Sequence, residues 1–195
     1  MPNAILRQQI TQQAVRLLAE GAEVDYFSAK AKAAKMLGYN GQQNLPSNLE
    51  IETELKKYQS VFYAESQPAI VKEKRHEALS AMLYFEQFEP RLVGVVLEGT
   101  ATQNSPIEIQ LFANSFKDVT FFLLDKKIPY EIFDRQVRLN KREVMEVPVV
   151  RFSAGDHNIE LSVFPRKELR QKHINSVTGL AQSRASIKDV QKLLD

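Results

Sequence analysis

Apolar positions recur at helical spacing along the first ninety residues and at strand spacing along most of the rest. Leu6, Ile10, Ala14 and Leu17, joined by Leu18, form one stripe, which predicts an amphipathic helix over residues 3–20 that Gly21 ends. Asp25 can cap a second helix running to about Leu37, with Phe27, Ala31 and Ala34 as its apolar side and Gly38 as its stop. Residues 39–48 contain Gly41, Pro46 and several amides and read as a linker. A third helix is expected near 48–63, with Leu55, Tyr58 and Val61 or Phe62 inward. Pro68 breaks the pattern. A long helix then follows over about 69–87, its core face made of Ala78, Leu79, Met82 and Phe85.

The period changes at Arg91. Leu92-Val-Gly-Val-Val-Leu97 is a continuous apolar run, which predicts a buried central strand. Residues 99–106 read as a loop. Ile107, Ile109 and Leu111 alternate with Glu108 and Gln110, the period of a strand. Ser115 can cap a helix carrying Phe116, Val119 and Leu123, with Lys126 and Lys127 at the end that the helix dipole favours for cations. Three strands are expected near 130–139, 144–153 and 157–164, with turns at Asn140-Lys-Arg142 and Gly155-Asp156. The tail from Pro165 is basic and irregular, and a short helix capped by Ser186 carries Val190, Leu193 and Leu194. This order predicts an α+β fold, a mixed sheet with helices mainly on one face, preceded by an N-terminal helical region. The boundary falls between a helical region 1–66 and an α/β domain 67–195.

Composition narrows the picture. The 195 residues carry a formal net charge of +2, so bulk charge gives no nucleic-acid footprint. Cysteine is absent, which excludes disulfides, thiolate metal sites and cysteine nucleophiles. No apolar run approaches the ~20 residues that span a bilayer, and the polar start is unlike a secretory signal, so a cytoplasmic protein without membrane contact is expected. His76, His157 and His173 are scattered and make neither a zinc spacing nor a Ser-His-acid arrangement.

Candidate chemistry gathers on the strands. Glu108 and Gln110 share a face, because side chains two apart point the same way. Glu160 lies on another expected strand, between Ile159 and Leu161, and could converge with Glu108 if the two strands are neighbours. Paired carboxylates suit Mg²⁺, which takes oxygen ligands and keeps substrate phosphates in its sphere. Gly99 would let a phosphate approach the backbone, and the Thr100 hydroxyl could bond to it.

The stretch Leu97-Glu-Gly-Thr-Ala-Thr-Gln-Asn-Ser-Pro-Ile-Glu-Ile-Gln-Leu111 resembles the core motif of minimal nucleotidyltransferases. In that family a strand ends in Gly-Ser, a loop leads to a strand with two acids on one face, and a later strand adds a third carboxylate. The likeness covers about residues 69–164. The whole chain also resembles a group of uncharacterised bacterial proteins with this layout. The superfamily transfers a nucleoside monophosphate from a nucleoside triphosphate to a hydroxyl by means of two metal ions. The resemblance therefore implies that Gly99 and Thr100 hold the triphosphate, that Glu108 and Glu160 are the catalytic carboxylates, and that Glu108, Gln110 and Glu160 face Mg²⁺. The acid set is incomplete: in one register Glu108 pairs with Gln110, in the other with Pro106, and only one carboxylate remains on the strand.

Each feature has a plainer reading. Glu108 and Glu160 can be polar positions on a solvated sheet face, and Gly99-Thr100 an ordinary turn. Arg166, Lys167, Arg170, Lys172, Arg184 and Lys188 make the tail a candidate for RNA, a nucleotide or an acidic partner, or a charged surface and nothing more. Three functions follow: a nucleotidyltransferase-like protein with an incomplete metal site that binds a nucleotide, a nucleic acid or a protein partner; an active metal-dependent nucleotidyltransferase; and a pure interaction protein.

Overall fold

The computed structural model describes residues 2–23, 25–41, 45–64, 66–140, 143–171, 173–175 and 179–195. They form an α+β fold of seven α-helices and one five-stranded mixed sheet, with a helical region at the N-terminal end. The chain divides into two compact units, residues 1–70 with 100–105, and residues 71–99 with 106–195. The loop 100–105 thus groups with the helices that precede it in sequence. Among the described residues no helix is long and apolar enough to cross a membrane.

In the helical unit, α1 (Pro2–Ala19), α2 (Tyr26–Met36) and α3 (Asn48–Phe62) share a core that includes Ile10, Ala14, Ala29, Ala33, Ile51 and Leu55. Asp25 caps α2 by accepting from the Ser28 N–H, and Ser47 with Glu50 closes a capping box on α3. Two expected faces are rotated. Phe27 is 76% exposed and Ala31 is exposed as well; Ala34 is buried as expected, and Ala29 and Ala33 join it in the core. Val61 and Phe62 are likewise exposed, while Gln59 is buried. In α2 alanines fill the shared core and leave the bulky residue outside; in α3 Gln59 turns inward because its Nε2 donates to the Thr100 carbonyl at 3.0 Å.

The second unit takes most of α4 (Ser66–Tyr84), whose buried face is Val71, Lys74, Ala78 and Met82. Pro68 sits in its first turn, where a missing N–H costs nothing, so the helix starts before the proline instead of after it. The expected central strand over 92–97 is corrected. Only β1 (Arg91–Val93) is extended, and it pairs with a single strand of the sheet; α5 (Gly94–Glu98) follows. Gly94 takes a φ of +70°, a left-handed conformation that breaks the strand at that point.

The remaining elements are β2 (Ile107–Ala113), α6 (Phe116–Asp125), β3 (Glu131–Arg138), β4 (Val144–Ala154), β5 (His157–Pro165) and α7 (Ile187–Lys192). Sheet order is β1-β2-β5-β4-β3, with β2 and β5 parallel and the other neighbours antiparallel. Gly155-Asp156 turns between β4 and β5. Lys141 and Arg142 of the other expected turn, and Lys172 of the tail, lie outside the described residues. On one face of the central pair Ile107, Ile109, Leu111, Ile159, Leu161 and Val163 are all buried. The other face carries Glu108, Gln110 and Phe112 beside Glu160, Ser162 and Phe164.

The described residues of the tail carry more regular structure than its composition predicts. A 3-10 turn at Arg166–Arg170 leads to His173, which is 1% exposed. Ala185 exchanges both backbone hydrogen bonds with Leu92, at 2.9 and 3.0 Å, and so extends the β1 edge.

Candidate functional site

The parallel register sets Glu108 of β2 directly beside Glu160 of β5, on the same face. The next strand places Arg151 opposite Glu160, and its Nε and Nη2 donate to Glu160 Oε1 at 3.0 and 2.7 Å. Arg135 of the edge strand β3 reaches across β4. Its Nη1 donates to Glu108 Oε1 at 2.9 Å, and its Nη2 donates to Glu160 Oε2. One guanidinium therefore bridges the two carboxylates. The Phe133 ring supports both cations, with the Arg151 and Arg135 guanidinium carbons 4.7 and 5.6 Å from its centroid.

Burial makes these pairs matter. Glu160 is 4% exposed and takes N–H donors on both oxygens, which a buried carboxylate requires. Burial pushes the Glu108 carboxyl above the usual carboxylate range; Arg135 pulls it back, and the neighbouring Glu160 adds to the rise. Gly94 is fitted to this site. A Cβ there would fall 2.1 Å from Glu108 Oε2, so only glycine leaves room for the carboxylate at the end of β1.

Gln110 lies between Arg91 of β1 and Ser162 of β5. Its Nε2 donates to Gln182 Oε1 at 3.0 Å, and its own carbonyl oxygen is buried with no hydrogen-bond partner. Glu98, next to the Gly99 turn, accepts from Asn175 Nδ2 at 3.1 Å. Gly99 has a φ of +81°, and Arg75 clamps the turn before it by donating to the Val96 and Leu97 carbonyls at 3.2 and 2.9 Å. Thr100 groups with the helical unit; it is 4% exposed, its hydroxyl has no hydrogen-bond partner, and its carbonyl accepts from Gln59 Nε2 at 3.0 Å.

The fold thus brings Glu108 and Glu160 together and sets Gln110 on their face. These residues do not fit a Mg²⁺ site. Both oxygens of Glu160 and Oε1 of Glu108 are taken up by guanidinium donors, and Gln110 offers a neutral oxygen only. Among the described residues no group of three or more His, Asp or Glu side chains is arranged to hold a metal ion.

Arg135, Arg151 and Phe133 are the residues that sequence reasoning missed. Their signal was the alternation of Phe133, Arg135 and Val137 along an expected strand, which puts an arginine on an inward face. Such a cation needs a buried acid, and Glu108 between Ile107 and Ile109 and Glu160 between Ile159 and Leu161 were both on offer.

Further along the same face Phe112 and Phe164 stack at 5.8 Å and, with Val147, form a small aromatic core. His173 lies on Phe164 at 4.6 Å, and Arg184 lies over Phe112 at 5.2 Å. The His173 ring bonds to Arg184 Nη2 at 2.8 Å and to Glu168 at 3.3 Å. Burial, with Arg184 beside it, holds the His173 pKa below its ordinary value. Arg184, grouped in sequence with the open basic tail, is a packing residue. No family model, curated protein or solved structure matches the chain.

Proposed function

We propose that this chain is a nucleotidyltransferase-like protein that binds the phosphates of a nucleotide without carrying out metal-dependent transfer. The observation that carries the reading is Arg135, which donates to both Glu108 and Glu160 and so puts a guanidinium where two carboxylates would otherwise share a cation. The Arg135 and Arg151 side chains are 33% and 45% exposed, so a solvent-borne anion can reach them. Guanidinium is also the side chain best shaped for phosphate, through its planar fork of donors. In this reading Glu108 and Glu160 hold the arginines in place and take no part in phosphoryl chemistry.

Calorimetric titration with ATP, GTP, CTP and UTP, each with and without Mg²⁺, tests it. The reading expects at least one nucleotide to bind with similar affinity in both conditions. Arg151→Gln should weaken binding by about tenfold, the loss of one charge-assisted contact. Pyrophosphate release that requires Mg²⁺ and disappears in Glu108→Ala would overturn it in favour of an active transferase. The absence of binding by any nucleotide would leave the interaction protein as the better account.

A further inference from the structure

The helical unit contains a pocket of its own, about 250 Å³, between the C-terminal end of α1, the end of α3, the first turn of α4 and the loop 100–105. We propose that this pocket binds a neutral planar heterocycle carrying amide-like edges, a nucleobase, by means of the carboxamides that line it. Naming the heterocycle a nucleobase rests on the nucleotide reading above; the pocket and its polarity do not.

Three features point to that chemistry. The first is the lining. Gln59, Gln67, Gln103 and Asn104 all border the cavity, and a carboxamide pairs one donor with one acceptor, the complement of a base edge. Tyr63 and Ile70, both half-buried, supply an aromatic and an apolar wall, against which a flat ring can pack. The second is charge. Among the described residues that line the pocket Glu20 alone is charged, so it offers no cation to a phosphate or carboxylate. The third is size. The cavity falls below the ~300 Å³ at which pockets for drug-sized ligands begin, so it takes one small ring system.

The pocket is also held in shape. Asn104 Nδ2 donates to the Gly21 carbonyl at 3.2 Å, and a Cβ on Gly21 would fall 2.4 Å from that same nitrogen. Gln59, 5% exposed, bonds the Thr100 carbonyl at 3.0 Å, and Ser105 Oγ accepts from the Thr102 N–H at 2.9 Å. The loop is thus tied at its start, middle and end before any ligand arrives, which lowers the ordering cost of binding.

Nitrogen-15 NMR of the full chain, titrated with adenosine, guanosine, cytidine and uridine, tests the proposal. Nucleosides carry no phosphate and report on this pocket alone. Inorganic triphosphate carries no base and reports on Arg135 and Arg151, so either site can fail without the other. One nucleoside should shift the side-chain amide signals of Gln59, Gln67, Gln103 and Asn104 in a saturable way. Gln103→Ala, a change at an exposed loop position, and Asn104→Ala should each weaken that binding about five- to tenfold and leave triphosphate binding unchanged. No saturable shift with any nucleoside, shifts confined to residues outside the pocket, or variants that bind as the wild type does would each overturn it.

Discussion

Two ends of one sheet face solve the burial of arginine in opposite ways. At the Glu108–Glu160 end the guanidiniums of Arg135 and Arg151 are matched by carboxylates and stay partly open to solvent. At the Phe112–Phe164 end Arg184 lies on an aromatic ring, donates to the Gln171 carbonyl at 2.7 Å and shares His173 with Glu168. Both ends are carried by the same parallel strands, four residues apart along each. Arg184, like Arg135, is half-buried, but its donors go to backbone carbonyls and a histidine, whereas Arg135 and Arg151 are held by acids, and the proposed phosphate site lies at that end.

Breaking the aromatic end should have the largest effect. Phe164→Ala removes a 1% exposed ring under His173 and should cost about 3–5 kcal/mol in chemical denaturation. Breaking the ionic end should cost less. Glu160→Ala leaves two cations without their shared acid, and because both are partly solvated the loss should be about 2 kcal/mol. Gly94→Ala comes next, at about 1–2 kcal/mol, since φ is +70° and the new methyl displaces Glu108. It should also weaken nucleotide binding, because Arg135 loses one of its two anchors.

The two ends should respond to pH with opposite signs. The folded His173 binds a proton less readily than the unfolded side chain, so its contribution is lost as pH falls below the ordinary histidine value of 6.5. The folded Glu108 binds a proton more readily than the unfolded one. Wild type should therefore lose stability relative to Glu108→Gln as pH rises from the ordinary value of 4.5 towards the higher folded value. Stability curves of His173→Phe and Glu108→Gln against pH check both signs. The smallest effect is expected at an exposed position of the helical unit: Phe27→Ser, where the side chain is 76% exposed, should change stability by no more than about 0.5 kcal/mol.

Much of this was legible in the sequence. The helix caps at Asp25, Ser115 and Ser186, the three late strands and the α+β order all rest on local signals, which short-range physics determines. Leu92–Leu97 misled because the run is apolar throughout and so shows no period; the information lay in Gly94, whose role depends on Glu108 fourteen residues away. Phe27 misled because bulk was taken for burial, whereas the alanines at 29, 33 and 34 fill the core shared with the neighbouring helices. Glu108 and Glu160 were found as a pair, but a pair of acids reads equally as a metal site or as an arginine site. What decides between them is the register of β3 and β4, which no local pattern encodes.

The central claim is that a guanidinium stands in for a metal between Glu108 and Glu160, and Mn²⁺ titration followed by water-proton relaxation tests it most directly. The account predicts no specific Mn²⁺ binding by the wild type at millimolar metal, and a gain of one site in Arg135→Ala, where the carboxylates lose their shared cation. Tight Mn²⁺ binding by the wild type that vanishes in Glu108→Gln would contradict it.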